Sequence, residues 1–581
     1  MLQVDPITLA VVWGGFQAAA QEMGVALRRT AYSEAVREGE DFSTAIFDAR
    51  GRLVAQGDFS PGHLGSMPFA VKTIAAEFPP ETLKPGDAIL QNDPQIGSGH
   101  LPDFFIFYPV FHEGKTLVGW VVNCAHQADV GGAGLGSQVA ENLIDYHQEG
   151  LRILPVKLYR EGRLQEDLMK LILGNVRLPD KVQGDMKAQL NSCRVGATRF
   201  TALVDLYGVE TVQACMEEMM DRSEAAIRVG LRAIPDGTYT FVDYLDDSGR
   251  DTDPIELKVA VTIAGDEATI DLAGSSLQRH CGMNVYYNYT FAYVICAMRA
   301  VTDPFVPHNE GCTRPIKLVA PRGCFFNAEP PAAAGARHIT CSRIYEAVMG
   351  ALAPAVPHKV FAATSHAANP FIGGYDSRTG RRFVMFDLLT GGIGGRCHKD
   401  AIEAITSPWN GRNIPVEVQE ASSPVLIERF EFVPDTAGPG KYRGSLAVRR
   451  DVRVLGDQAK LYNMADRQKF APWGLFGGRP GAKGVTILNP GPSQEMLHSK
   501  GVYDLEYGDL VAMQVAGGGG YGDPLERGVN LVLQDVVKGH VSIEGARRDY
   551  GVVIDPDTLA VDEPASLGLR AARRAGGGGE N

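Results

Sequence analysis

Two runs of nine residues, 104–112 (FFIFYPVFH) and 115–123 (KTLVGWVVN), are dense in aromatic and β-branched side chains, and only Glu113-Gly114 separates them. Such runs suit pleated strands, and a two-residue link ending in glycine closes an antiparallel hairpin through positive φ angles. A hairpin fixes which distant residues meet. Without a bulge, His112 faces Lys115, and counting outward places Asp103 opposite Cys124, His100 opposite Gln127 and His126 opposite Leu101. Facing and diagonal side chains are about 5–8 Å apart at Cβ. His100, Asp103 and His126 are therefore expected to converge at the open end of the hairpin, with Asp129 close behind. Two imidazoles and a carboxylate around one point suit a divalent metal ion that keeps open coordination positions. The plainer alternative, in loops this rich in glycine, is that His100 or Asp129 caps a turn.

At 581 residues the chain exceeds what one hydrophobic core fills, so several domains are expected. Asp5-Pro6 reads as a helix start, and the amphipathic pattern that follows ends near Arg28-Arg29. Residues 42–47 and 52–56 form a second hairpin candidate, a helix is expected over 66–78, and a strand over 87–91 leads into the loop that holds His100. Residues 161–230 read as helices, the Met-rich stretch near 215–220 as core packing. Alternating strands return at 237–242, 255–263 and 268–272, helices at 286–302 and 340–352, and strands with turns from 413 to 520. The tail from Gly576 to Asn581 is expected to fray. The expected fold is α+β and multi-domain, with mixed, mainly antiparallel sheets, packed helices and a β-rich C-terminal part. The expected division is 1–230, 231–412 and 413–581.

A net charge of −13 argues against a general partner among nucleic acids or anionic membranes. Nine cysteines, an odd number without a Cys-x-x-Cys pair, fit reduced thiols rather than a disulfide framework or zinc ribbon. No run approaches the length of a membrane span, and the first residues lack the features of a secretory signal. The cytoplasm is the expected compartment. There is no Gly-x-x-x-x-Gly-Lys-[Ser/Thr] loop, no Gly-x-Ser-x-Gly elbow and no His-Glu-x-x-His. Gly517 to Gly522 resembles a dinucleotide loop only superficially, because Asp523-Pro524 follows. Any ATP used in the chemistry is expected to be held by another chain.

Asp5-Pro6, Arg28-Arg29-Thr-Ala-Tyr-Ser33, Asp41-Phe-Ser43, Leu64-Gly-Ser-Met-Pro68, Asn92-Asp-Pro94, His100-Leu-Pro-Asp103, Ala125-His126, Ala128-Asp-Val-Gly-Gly132 and Gln148-Glu-Gly-Leu-Arg152 resemble the hydantoinase B/oxoprolinase family. The resemblance continues through Thr302-Asp-Pro304, Gly311-Cys312, Arg314-Pro315, Asn327, Pro330-Pro331, Pro415-Val-Glu417, Gly438 to Gly444 and Gly517 to Pro524. It implies one half of a two-component enzyme. The partner, a hydantoinase A-type subunit, holds ATP and Mg and phosphorylates a lactam or imide oxygen; the B-type subunit completes ring opening. It also implies a hetero-oligomer, with two copies of each chain expected.

In the related ketone carboxylases the metal is held by a His-x-x-Asp pair and a later His, which map onto His100, Asp103 and His126. Zinc, manganese or iron would suit such a set. Asp41 and Asp129 are the expected base candidates. Glu149 is expected to orient substrate or to pair with Arg152. Gln127, His147 and Cys397-His398 depart from the family pattern. Three functions follow: a cyclic-amide hydrolase subunit opening a hydantoin, 5-oxoproline or a related lactam, which is preferred; a ketone carboxylase subunit of the acetone or acetophenone type; or a non-catalytic organising subunit. For any obligate partner, Leu135 and Val139 at the mouth of the site are expected to be exposed.

Overall fold

The computed structural model describes residues 4–409 and 411–576, so the end of the tail lies outside the described residues. Asp5 accepts the Thr8 N–H at 2.8 Å and caps α1 (Pro6–Thr30), with Pro6 where a missing N–H costs nothing. After α2 (Glu34–Arg37), β1 (Phe42–Asp48) and β2 (Leu53–Gln56) form the second expected hairpin. Helix α3 spans Pro61–Glu77, starting five residues before the expected position because Pro61 occupies its first turn. Then follow β3 (Ala88–Gln91), β4 (Asp103–His112), β5 (Thr116–His126), β6 (Val156–Arg160) and β7 (Arg163–Leu164). The seven strands lie in the order β2-β1-β5-β4-β3-β6-β7, every neighbouring pair antiparallel. Helices α4 (Glu166–Leu173), α5 (Pro179–Tyr207) and α6 (Val209–Arg232) come next.

Both faces of this sheet are buried, and alternation sorts the side chains. Phe104, Ile106 and Val121 pack with residues of α1, α5 and α6. Phe105, Phe107, Trp120, Val122 and Cys124 pack with Leu64, Met67 and Ile74 of α3. Asp103, in step with Phe105, and His126, in step with Cys124, therefore belong to the α3 face.

The β4–β5 turn has positive φ at Glu113 (49°) and Gly114 (67°), and Lys115 N donates to His112 O at 3.1 Å. The register corrects the sequence expectation in two steps: His112 pairs with Thr116 rather than Lys115 at the turn, and a bulge between Val110 and Phe111 adds one more residue, so that His126, not Cys124, is the partner of Asp103. Pro109, which cannot donate to the ladder, sits beside the irregularity. The slip amounts to two residues, an even number, so every side chain keeps its face. On the other side of β5, His126 N donates to Asp41 O at 3.1 Å just before β1. Asp41, His126 and Asp103 thus end three adjacent strands.

The middle of the chain contains β8 (Gly237–Leu245), β9 (Ile255–Ala264), β10 (Glu267–Asp271), α7 (Tyr287–Val301), β11 (Ile316–Val319) and α8 (Arg337–Leu352). Its sheet runs β11-β10-β9-β8, with β10 and β11 parallel. All residues of α8 are buried. Beyond it come β12 (Ala367–Ala368), β13 (Phe371–Asp376), β14 (Arg381–Phe386), β15 (Leu389–Thr390), α9 (Val416–Ser422), β16 (Val425–Val433), β17 (Ala447–Val454), β18 (Asp457–Met464), β19 (Val485–Leu488), β20 (Glu495–Leu497), β21 (Lys500–Leu505) and β22 (Leu510–Gln514). They build the sheets β14-β13-β18-β21 and β16-β17-β22-β19-β20. The first of these joins strands on both sides of residue 412, so the border expected there falls inside a sheet. Gly519 shows why glycines cluster here: a Cβ would lie 1.9 Å from the Trp473 carbonyl oxygen. The chain then closes with α10 (Val529–Val537), α11 (Ile543–Tyr550) and α12 (Glu563–Gly576), where no helices were expected. Among the described residues no helix is long and apolar enough to cross a membrane, and all nine cysteines are free thiols.

Candidate functional site

One ligand atom each from His100, Asp103 and His126 can be chosen so that all lie within 4.8 Å of one another, and all three residues are buried. Asp103 is the hub. Its Oδ1 is 2.8 Å from His100 Nε2 and 3.1 Å from His126 Nδ1. Its Oδ2 accepts from Arg337 Nη2 at 2.7 Å and from the Ser98 hydroxyl, and lies 3.1 Å from His63 Nε2. Burial works against the Asp103 anion, but His100, His63 and Arg337 outweigh it and hold the carboxyl well below its usual range.

His100 shows whether these residues fit a cation. Its Nδ1 lies 2.9 Å from the Gly335 carbonyl, which can only accept, and 3.2 Å from Arg337 Nη1, which can only donate; the nearer contact, to the carbonyl, assigns the proton to Nδ1. Burial first, and then Arg337, push its pKa down to about 4, which keeps the ring neutral. Nε2 is therefore a lone pair, buried and without a hydrogen-bond partner, facing a carboxylate oxygen. A cation between them satisfies both, and the Nδ1–H to carbonyl bond is the outer support that histidine ligands commonly have. The donor set fits a divalent ion.

Two side chains at this centre carried no flag in the sequence. His63, from the first turn of α3, lies between Asp103 and Asp41, whose Oδ1 is 3.7 Å from His63 Nε2. Burial lowers the His63 pKa, but Asp103, with Asp41, more than reverses this and the net shift is upward. Arg337, the first residue of α8, covers the Tyr289 ring at 3.7 Å and binds the Ser98 carbonyl as well as Asp103. His63, Asp103 and Cys124 also meet ligand spacing. Arg337 already neutralises that oxygen of Asp103, and burial holds the Cys124 thiol well above its ordinary pKa, so the cation fits on the His100 and His126 side.

Of the two expected base candidates, Asp41 lines the cavity and Asp129 does not. Asp41 is a third exposed, and its Oδ2 is 3.8 Å from His126 Nδ1. Asp129 is fully buried, and Arg177 Nη1 donates to both its oxygens at 3.0 Å while Gly131 N donates to Oδ2. It ties down the Gly131-Gly132 turn. Glu149 does not reach Arg152, which pairs with Asp93 instead. Glu149 Oε1 accepts the Ala334 and Gly335 N–H groups, and so fixes the carbonyl that orients His100. Burial pushes its pKa up to about 8 in spite of those two donors.

Leu135 and Val139 are not an exposed rim: Val139 is buried in the central core that also holds Phe371 and Tyr462, and Leu135 is half-buried against it. Gln127 turns to Gln189, at 3.2 Å. His147 is exposed against Tyr146, and Cys397 Sγ lies 3.2 Å from His398 Nδ1 in a half-buried loop.

The centre opens into a cavity of about 50 Å³, room for a few water-sized groups. Three parts of the chain close it: Asp41, His63 and His100 from the first sheet and α3, Arg337 and His338 from α8, and Asn369, Phe386 and Trp409 from the segment after it.

The family model described as Hydantoinase B/oxoprolinase matches residues 5–524. A putative B-type subunit of a D-/L-hydantoinase from Pseudomonas sp. is 34% identical, covering 98% of this chain and 98% of that protein. The crystal structure of the ATP-dependent caprolactamase from Pseudomonas jessenii superposes with a TM-score of 0.90 at 32% identity, over 98% of this chain and 100% of that one. A nucleotide-free acetone carboxylase superposes with a TM-score of 0.92 over 99% of this chain and 84% of that one; at 20% identity the likeness is one of fold.

Proposed function

The chain belongs to the hydantoinase B/oxoprolinase family, and on that premise we propose that it is the metal-containing, B-type subunit of a cytoplasmic, ATP-dependent cyclic-amide hydrolase. Its partner is an A-type subunit that holds ATP and Mg, in a complex with two copies of each chain. The observation that carries the reading is the unpartnered His100 Nε2 facing Asp103 at 2.8 Å, beside a small cavity that Asp41 also lines. The hydrolase is preferred to the ketone carboxylase because the relatives matched end to end at 32–34% identity bear the names of a hydantoinase and a caprolactamase.

An unactivated lactam is a poor electrophile with a poor leaving group, and phosphorylation of its oxygen by the partner supplies the missing activation. A divalent ion held by His100, Asp103 and His126 would contribute Lewis acidity, easing loss of a proton from water or polarising an oxygen. Asp41 takes the proton at its carboxylate, and His63 holds that carboxylate toward the cavity. Glu149, acting through Gly335, keeps His100 in the tautomer that leaves Nε2 free. The buried walls exclude bulk water from an activated intermediate.

The test is co-expression with an A-type subunit. The complex should open a lactam or hydantoin ring with stoichiometric ADP formation, and the isolated chain should hydrolyse no ATP. A solitary chain fully active on a lactam without ATP would recast the protein as a self-sufficient metal amidohydrolase.

A further inference from the structure

The two histidines of the centre are supported differently. Behind His100 stands a backbone carbonyl, which can only accept a hydrogen bond. Behind His126 stands a side-chain carboxamide, which can donate or accept. His126 Nδ1 looks toward the carboxylates, 3.1 Å from Asp103 Oδ1 and 3.8 Å from Asp41 Oδ2. Its Nε2 lies 3.0 Å from Nε2 of Gln138. Gln138 Oε1 accepts from Asn369 Nδ2 at 3.3 Å, joining residues 231 positions apart. Asp103, His126, Gln138 and Asn369 are all buried, and among the described residues Asn369 Oδ1 has no hydrogen-bond partner.

Two proton arrangements fit these atoms. In the first, His126 Nδ1–H donates to Asp103, whose carboxylate can only accept, and every donor in the row points toward Asp103. Gln138 N–H then meets the His126 Nε2 lone pair, and Asn369 N–H meets Gln138 Oε1. In the second, Nδ1 is the lone pair, Nε2–H donates to Gln138 Oε1, and Gln138 N–H donates to Asn369 Oδ1. Each carboxamide has made a half-turn, which exchanges oxygen and nitrogen within nearly the same outline. Turning Asn369 breaks no further bond, because its Oδ1 is untied. The ring carries one proton in both arrangements; only the nitrogen that holds it changes.

A cation beside Asp103 requires the second arrangement. To bind it, Nδ1 must offer a lone pair, so the ring proton sits on Nε2 and needs an acceptor. Histidine ligands commonly give their other N–H to such an acceptor. For His100 the Gly335 carbonyl fills that place, and for His126 Gln138 fills it after its half-turn.

We propose that Gln138, backed by Asn369, is a positioning residue that sets the His126 tautomer, its carboxamide turning over when a divalent ion takes Nδ1. The relay ties ion binding at the end of β5 to Asn369, on the segment that closes the cavity from the far side. The proposal rests on the divalent-ion reading of the site, and not on which cyclic amide or ketone is the substrate.

The test is the zinc affinity of the full-length chain, measured by competition with a chromophoric chelator and without turnover. Gln138→Leu, which keeps bulk but offers no acceptor, should weaken zinc binding by about 10–100-fold. The metal-free variant should melt as the metal-free wild type does, which separates a lost orientation from a lost fold. Asn369→Asp can only accept, so it holds the Gln138 N–H and keeps Oε1 on His126. Removing one of two orientations should tighten zinc binding by at least about two-fold. In the double variant, Gln138→Leu with Asn369→Asp, that gain should vanish, whereas direct attraction by the new charge would persist. Gln138→Leu within about two-fold of wild type overturns the relay, as does an Asn369→Asp gain that is absent or survives in the double variant. A wild-type chain that takes up no zinc removes the metal centre of the reading above together with the relay. A zinc-binding wild type with an unaffected Gln138→Leu removes the relay alone.

Discussion

Two buried ionic clusters in this chain differ in one respect. Between α8 and the strands around β18, three cations meet three carboxylates. Asp466 binds Arg343 at 2.6 Å and Lys500 at 2.8 Å, Glu346 binds Arg343 at 2.5 Å and Arg467 at 2.6 Å, and Asp243 binds Arg467 at 3.1 Å. The protein itself neutralises these charges, and the cluster seams the central part of the chain to the C-terminal strands. Around Asp103 the cluster leaves an atom over: His100 Nε2 is buried without a hydrogen-bond partner, 2.8 Å from Asp103 Oδ1. Burial is as complete in one place as in the other. In the seam Arg343 Nε and Arg467 Nε also lack hydrogen-bond partners, but each carboxylate meets a cation; what marks the site is a buried ring nitrogen able to hold a cation and left unpaired beside a carboxylate.

Breaking the closed cluster should have the largest effect. Asp466→Asn leaves Arg343 and Lys500 short of a counter-charge, and should cost about 3–5 kcal/mol in denaturant unfolding. Metal content per folded chain should not change. An Asp466→Asn chain as stable as wild type would mean that the seam does not hold the two parts together.

The open cluster should respond in the opposite manner, through chemistry rather than stability. Asp41→Asn in the partner-bound enzyme should lower kcat by about 10²–10⁴-fold, the usual worth of a general base, while KM, metal content and melting temperature stay near wild type. A kcat unchanged by this substitution would move the base elsewhere.

Glu149 lies between the two cases and should give the smallest effect. Its pKa is raised from 4.5 to about 8, so the folded chain keeps a proton that the unfolded chain has already lost. Native stability from this group is therefore present below about 4.5 and declines as pH rises toward about 8. Glu149→Gln, which still offers an oxygen to the Ala334 and Gly335 N–H groups, should flatten that decline in thermal unfolding followed across the window. An identical pH profile in the variant would show that Glu149 is not the titrating group.

The contrast also explains what could be read in advance. The hairpin was legible because Glu113-Gly114 and the aromatic runs are local signals, and the one-residue slips at the turn and at Val110 together preserved parity, so His100, Asp103 and His126 still converge. The pairing itself was not legible, since nothing local announces a bulge. His63 and Arg337 reach Asp103 from α3 and α8, the latter across 234 residues, and no periodicity reports a meeting of that kind. Asp129 was read as a base because it sits near His126 in sequence, yet Arg177 claims it. The exposed rim expected at Leu135 and Val139 failed because strands more than 200 residues later cover that loop. The closing helices α10 to α12 were missed because the preceding strands and turns set the expectation for everything after them.

The most direct measurement is metal stoichiometry after loading with manganese, read by elemental analysis and electron paramagnetic resonance on the wild-type, His100→Ala and Asp129→Asn chains. An open cluster predicts about one ion per wild-type chain, none above background in His100→Ala with the fold retained, and a wild-type value and spectrum in Asp129→Asn. A His100→Ala chain that binds as much manganese as wild type, with the same spectrum, would contradict it.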